Sequence, residues 1–363
     1  MNSFPDDALE FRDKPGLISY ELLRSRPAAE WFDEAANGRP PGRLLGDLWL
    51  EGELCVLFGD TGKGKSVFAT QIADAIARGA CVGPFTNQTP PQKVLYFDFE
   101  MTTAQFAARY TADQILDSTN SPTAKIRDPH SAFRNFFTFS PNLIRVEMAS
   151  GPPDHEGYGF KNFRSYFATA VVDQIEQHEA KVVVIDNITY LSDQLQSSAR
   201  AAHVMKELRR IKSEHDLSML VIGHSPKRRP TDRLTTRDLV GSKMQANFAD
   251  SMVAIGSSLK GANVRYLKQV KSRSAASNHE SENVVLFRIE KIGPFLQLTH
   301  TGYARETDHI HLISRSVPPT NRQTLTAQAL ALQSAGQTQR QIAKTLNIPK
   351  STLHTYLKTA PKP

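Results

Sequence analysis

Cysteine is nearly absent from this chain: two residues, Cys55 and Cys81, in 363. Two such residues build neither a disulfide framework nor a zinc site with its closely spaced ligands. Cys55 lies within an apolar run and reads as a buried structural thiol, which suits a reducing compartment. No apolar run approaches the ~18 residues that a membrane-spanning helix needs. The opening Met-Asn-Ser-Phe-Pro-Asp-Asp lacks the basic and apolar regions of a secretory leader. The expectation is a cytoplasmic protein with no membrane partner. Acidic residues are missing from one place in particular. None follows Asp308, whereas Arg315, Arg322, Arg340, Lys344, Lys350, Lys358 and Lys362 do. The tail therefore carries the entire net charge of +7, and such asymmetry points to a polyanion as its partner.

What is present is ordinary globular composition, 40% hydrophobic and 22% charged, around one informative stretch. Gly59-Asp60-Thr61-Gly62-Lys63-Gly64-Lys65-Ser66 fits the pattern G-x-x-x-x-G-K-[ST]. An apolar strand (54–58) precedes it and a helix-like run (67–77) follows, which is the context the pattern requires. Glycines let the loop fold so that successive N–H groups point inward and form an anion nest. The helix behind it adds its positive end. Gly59 to Val67 would cradle the phosphates of ATP, Lys65 would reach the β- and γ-phosphates, and Ser66 would hold Mg²⁺.

The first 45 residues are polar and punctuated by proline, with an amphipathic candidate over 20–36, and read as an N-terminal extension. From residue 46 to 307, short apolar runs alternate with helical ones, as in a mainly parallel sheet covered by helices. The run 93–100 ends in Glu100, at the tip of a buried strand facing the ligand crevice. Glu100 either orients an attacking water or supplies charge to the helix starting at Thr102. A further strand is expected over 133–139 and a helix over 160–177. Val182 to Ile185 followed by Asp186 is a buried strand with a carboxylate at its exit, the usual second ligand set for Mg²⁺ behind a phosphate loop. A basic amphipathic helix (199–215) and the strand 218–224 come next. His224 at that strand's end either senses the γ-phosphate or merely caps the strand. The basic loop after it, with Lys227, Arg228, Arg229 and Arg233, suits a nucleic-acid backbone or plain solvent. Strands over 251–255, 264–270, 283–290 and 295–300, without long helices between them, predict an antiparallel extension of the sheet.

The phosphate loop, Glu100, Asp186, His224 and the Lys271-Ser272-Arg273 triplet occur in the order found in RecA-like ATPase cores. That order resembles the hexameric helicases typified by RepA and DnaB. The stretch 51–78 with Gly241-Ser242-Lys243-Met244 resembles the RepA-like AAA_25 ATPases over about residues 45–305. The resemblance implies that Glu100 activates water and His224 senses the γ-phosphate. It further implies that Lys271 and Arg273 reach a neighbouring subunit's ATP, and that Arg109 lies on the nucleotide side. Ser274-Ala275-Ala276 replaces the glycines common after that triplet in DnaB. After a linker (308–321), residues 322–358 resemble the helix-turn-helix of resolvases. Ile342, Ile348, Leu353 and Tyr356 face inward, and Asn347 sits at the turn. Lys350, Ser351, Thr352, His354 and Thr355 lie on the groove-facing side. A three-helix protein-interaction module is the competing reading.

The expected fold is thus α/β: a RecA-like P-loop NTPase core with a mainly parallel twisted sheet, plus a small all-α C-terminal helix-turn-helix domain. The expected activity is ATP hydrolysis by a homo-oligomeric ring, a hexamer, working on DNA. Single strands would lie on the core loops and duplex on the tail. A replicative helicase, a DNA-bound regulatory ATPase switch and a RadA-like recombination mediator all remain open at this point.

Overall fold

A computed structural model of the chain describes residues 25–112, 136–148, 157–159, 163–188, 198–225, 232–239, 246–310, 319–346 and 348–358. It falls into two units, Met1–Pro41 and Gly42–Pro363. In the first, helix α1 (Ala28–Asn37) starts after Pro27, whose fixed φ suits a helix start, and stops at Gly38. Its Phe32 is 74% exposed. The Arg26 guanidinium lies 3.6 Å from the Trp31 ring centroid and pairs with Glu34.

The second unit is built on one nine-stranded sheet. Its strands are β3 (Leu54–Gly59), β4 (Val94–Asp98), β5 (Leu143–Val146), β6 (Val182–Asp186), β7 (Ser218–His224), β8 (Ser251–Ser257), β9 (Val264–Lys271), β10 (Val284–Ile292) and β11 (Phe295–Ala304). The order across the sheet is β11-β10-β9-β8-β3-β7-β6-β4-β5. From β5 to β8 every pairing is parallel; from β8 to β11 every pairing is antiparallel. The predicted mainly parallel sheet with an antiparallel extension is what the chain forms. A small two-stranded sheet, β1 (Arg43–Leu45) with β2 (Trp49–Leu50), is hydrogen-bonded separately and packs Leu44, Leu45 and Trp49 into the core against the large sheet.

The central strands are buried on both faces, which is why they read as unbroken apolar runs rather than alternating ones. Their side chains go alternately to two cores. Cys55, Leu57, Val182 and Val184 meet helix α2 (Lys65–Arg78) through Phe68, Ile72 and Ile76. Leu54, Val56, Phe58, Val183 and Ile185 meet helices α4 (Phe163–His178) and α5 (Ser198–Glu214) through Ile175, Met205 and Leu208. Each such fully buried side chain contributes about 1.5–3 kcal/mol. Burial also pushes the Cys55 thiol up to about 12, so it stays neutral and inert.

Of the strand expected over 133–139, the described residues 136–139 form none. Phe136 makes one isolated bridge to Thr111, residues 133–135 lie outside the described residues, and the strand beside β4 is β5. Phe137 and Phe139 instead stack with Tyr110 and Phe295, the Phe137 and Phe295 rings 4.1 Å apart. An aromatic run favours a strand, but equally it favours a packed ring cluster. The true strand is short, half-buried and interrupted by Arg145, so its apolar signal is weak.

Helices α6 (Pro319–Ser334), α7 (Gln339–Thr345) and α8 (Lys350–Lys358) form a three-helix group with its own core of Ala329, Ile342, Ala343 and Leu353. Thr338 and Gln341 cap α7 reciprocally. The inward set predicted for this region is buried at Ile342, Leu353 and Tyr356 and half-buried at Ile348. Asn347 lies outside the described residues.

Candidate functional site

Because β3, β4, β6 and β7 run parallel, their C-terminal ends open onto one crevice. The register is close: Asp98 is level with Asp186, and Gly59 with His224. Each tip delivers one chemical group.

The tip of β3 is the phosphate loop. Gly59 lets the chain pass where any side chain would collide, since a Cβ there would stand 2.4 Å from the Ile255 carbonyl oxygen. Gly64 caps α2 in the left-handed conformation, φ 93°. Lys65 is 5% exposed, and its ammonium donates to the carbonyls of Gly59 and Asp60, both at 2.9 Å. Burial lowers its pKa, opposed by Asp186 and Glu100. It is a partly desolvated cation held across the mouth of an anion nest.

The tip of β6 carries Asp186, 1% exposed. Its Oδ2 accepts from the Tyr96 hydroxyl at 2.8 Å, while Oδ1 is buried and, among the described residues, has no hydrogen-bond partner. Burial raises its carboxyl to about 6; the neighbouring Ser66 and Tyr96 hydroxyls work the other way, and repulsion from Glu100 and Asp98 adds to the rise. A buried, unpartnered carboxylate oxygen beside a serine hydroxyl is a hard-oxygen donor set, and it fits Mg²⁺. Ser66 and Asp186 would hold the ion, which when bound would neutralise charge on the phosphates.

The tips of β4 and β7 bring Glu100 and His224 together. Glu100 Oε1 lies 3.2 Å from His224 Nε2 and accepts from the Asn187 amide, whose nitrogen is itself 2.9 Å from His224 Nε2. A protonated Nε2 donates to Glu100; an unprotonated one accepts from Asn187. The His224 contact, helped by Lys65 and Arg109, keeps the Glu100 carboxyl below its usual range. Glu100 is therefore an ionised carboxylate aimed into the crevice, as a water-orienting base must be.

Asp98, a second acid on the same strand, has no such freedom. It is buried, accepts Arg145 Nε at 2.9 Å, and accepts the N–H groups of Glu100 and Met101 at 3.3 and 3.0 Å. Its work is to fold the turn that presents Glu100. Thr102 and Gln105 then close helix α3 (Thr103–Arg109) with a reciprocal cap. Arg109 ends α3 with a buried Nη1 that has no hydrogen-bond partner among the described residues.

Lys271 and Arg273 engage their own chain. Lys271 Nζ donates to Ala246 O (2.5 Å) and Ala249 O (2.6 Å). Arg273 meets Asp250 Oδ1 (3.1 Å) and Asn247 O (2.6 Å). Lys227, Arg228, Arg229 and the Gly241–Met244 stretch lie outside the described residues. Arg233 is exposed. The chain just beyond it is fastened: the Leu234 N–H donates to Glu306 Oε1 (2.7 Å), and its carbonyl accepts from Lys268 Nζ (2.6 Å). Lys268 and Glu306 form a buried ion pair, 2.7 Å long. In α8, Lys350, Ser351, His354 and Thr355 are exposed and Thr352 half-buried.

Asn187, Tyr96 and Arg145 are site residues that motif reading passed over. Asn187 had one signal, its position directly after Asp186.

A phosphate loop at β3, an acid at β6 and a carboxylate–histidine pair at β4 and β7 define an ATPase of the P-loop class with a RecA-like core. The chain belongs to the AAA_25 family, described as "AAA domain", whose profile matches residues 23–230. Among solved structures it is similar to a KaiC-like protein from the hyperthermophilic archaeon Pyrococcus horikoshii OT3. The two are 16% identical, with a TM-score of 0.46, over 72% of this chain and 100% of that one. No curated protein matches it. Among the described residues no helix is long and apolar enough to cross a membrane.

Proposed function

We propose that this ATPase works on DNA as a ring, a homo-hexamer, and acts as a RepA-like helicase in replication of a bacterial chromosome, plasmid or mobile element. The observation that supports this reading is the Glu100–Asn187–His224 cluster. His224 can exchange its Nε2 partner between Glu100 and Asn187, and the basic loop with Lys227, Arg228, Arg229 and Arg233 starts just beyond it. Loss of the γ-phosphate beside Glu100 would thus be transmitted directly to residues suited to a single strand's phosphates. Lys271 or Arg273 would complete a neighbour's site once released from residues 246–250.

A second reading draws on the tail. The polar side chains of α8, in a region with seven basic residues and no acid, favour a DNA-bound regulatory switch or a non-unwinding recombination mediator. Strand displacement on forked DNA separates the two. Unwinding that requires ATP and disappears in Lys65→Ala supports the helicase. Duplex binding with DNA-stimulated hydrolysis but no displacement supports the switch. Removing residues 320–363 should flatten the log–log salt dependence of duplex binding by several units, at about 0.9 for each phosphate no longer neutralised.

A further inference from the structure

The phosphate loop has a back as well as a mouth, and its back rests on strands outside the family match. Arg265, on β9, is 8% exposed. Its Nε donates to the carbonyl of Lys63, in the middle of the loop, at 3.0 Å. Its Nη1 donates to Ala262 O and Val264 O, both at 2.8 Å. Among the described residues no carboxylate pairs with it. Burial alone acts on it, lowering its pKa, with no acid to compensate. Retaining an unpaired guanidinium at a buried position costs free energy, and neutral carbonyls offset it only in part.

The geometry supplies a reason. In a trans peptide the carbonyl and the following N–H point in opposite directions. Arg265 pulls the Lys63 carbonyl backward, so the Gly64 N–H of the same peptide faces forward into the nest. Gly64 itself is clasped from behind: a Cβ there would lie 2.7 Å from Ile289 Cδ1 of β10. Nearly two turns into α2, Gln71 exchanges two hydrogen bonds with the Leu298 backbone of β11, at 3.1 and 3.0 Å.

We infer that Arg265 is a positioning residue for nucleotide binding: it locks the Lys63–Gly64 peptide in the anion-binding orientation, and its uncompensated charge adds to the attraction for the polyphosphate. The inference rests on the phosphate-loop reading and not on any action on DNA.

The test compares Arg265→Met, which removes fork and charge, with Arg265→Lys, which keeps the charge but cannot span three carbonyls. Two quantities are read: the Kd for a fluorescent ATP analogue with Mg²⁺, and deuterium uptake by the peptide 59–68 in nucleotide-free protein. Arg265→Met should weaken binding about tenfold or more, the scale of one charge-assisted hydrogen bond with its charge. Uptake should rise at 59–68 and stay unchanged in β6 and β7. Arg265→Lys should fall between the two. Should Arg265→Met fail to fold, Arg265→Lys alone must still show weaker binding with selective uptake. Wild-type Kd in the folded variants, or uptake rising evenly across the sheet, overturns the inference by making Arg265 a general staple. Lys65→Ala, run in parallel, keeps the readings apart. If it loses nucleotide while the Arg265 variants do not, only this inference falls; if wild type binds none, the phosphate-loop reading falls with it.

Discussion

The two halves of the sheet do different work. The parallel half, β5 to β8, presents the candidate reacting groups at strand tips: Lys65, Glu100, Asp186 and His224 all stand at its C-terminal edge. The antiparallel half, β9 to β11, supplies clasps: Arg265 on the loop carbonyl, the Leu298 backbone on Gln71, and Lys268 with Glu306 around Leu234. Parallel strands gather their C-termini on one edge, so a crevice for chemistry forms there. Antiparallel neighbours send alternate ends to each edge and serve better as a brace. The family match, ending at residue 230, covers most of the first half and none of the second.

Arg273 is the sharpest challenge to that division, because it follows an antiparallel strand. An arginine supplied to a neighbour's site contributes about 10³–10⁵ in rate. Arg273→Ala should lower turnover on that scale with nucleotide affinity retained, and mixing it with Lys65→Ala subunits should restore part of the activity. If Arg273→Ala hydrolyses ATP at the wild-type rate, the antiparallel half is purely a brace.

Within the parallel half, Glu100→Gln should bind ATP normally and hydrolyse it about 10²–10⁴-fold more slowly, the usual loss for a positioned base. Single-turnover kinetics would check it. Near-normal turnover would move the water-orienting role off Glu100, and Asp98 could not inherit it, being bound to Arg145 and two backbone N–H groups.

On the bracing side, Glu306→Ala leaves Lys268 buried without its partner, which costs about 3–5 kcal/mol. Urea denaturation should register that loss. Equal stability would mean that the 232–239 segment is held by other contacts.

The smallest effect on stability is one of pH. Burial pushes the Asp186 carboxyl up to about 6 in the folded protein, from 3.8 as its ordinary value. The folded state therefore binds the extra proton between those values, and the stability it contributes at low pH is lost as pH rises through that window. Asp186→Asn should make the nucleotide-free protein more stable at pH 7, by about 1–3 kcal/mol, while abolishing Mg²⁺-dependent hydrolysis. Thermal denaturation at pH 4.5 and 7, with and without the substitution, measures both signs.

Much of the parallel half was legible in the sequence. A doubly buried strand must be an unbroken apolar run, and a functional acid at its exit interrupts the run in a readable place, as Asp186 does after Val182–Ile185. Strand β5 was illegible because an edge strand with Arg145 in its middle has no such run. Asn187 was half-legible, adjacent to a known acid but of a residue type common at strand ends. Arg265 left no signal at all. Its partner is a backbone carbonyl some 200 residues away, and a carbonyl has no residue identity to read. Contacts of that kind follow from topology, and topology is what short motifs omit.

The Tyr96 hydroxyl bears on which metal the pocket prefers. By donating to Oδ2 of Asp186, it leaves Oδ1 as the oxygen with no donor on it among the described residues. Ca²⁺ favours six to eight oxygens and often grips a carboxylate by both, whereas Mg²⁺ accepts one and keeps its waters. A phenol that donates to the carboxylate would thus tilt the choice of cation toward the smaller one.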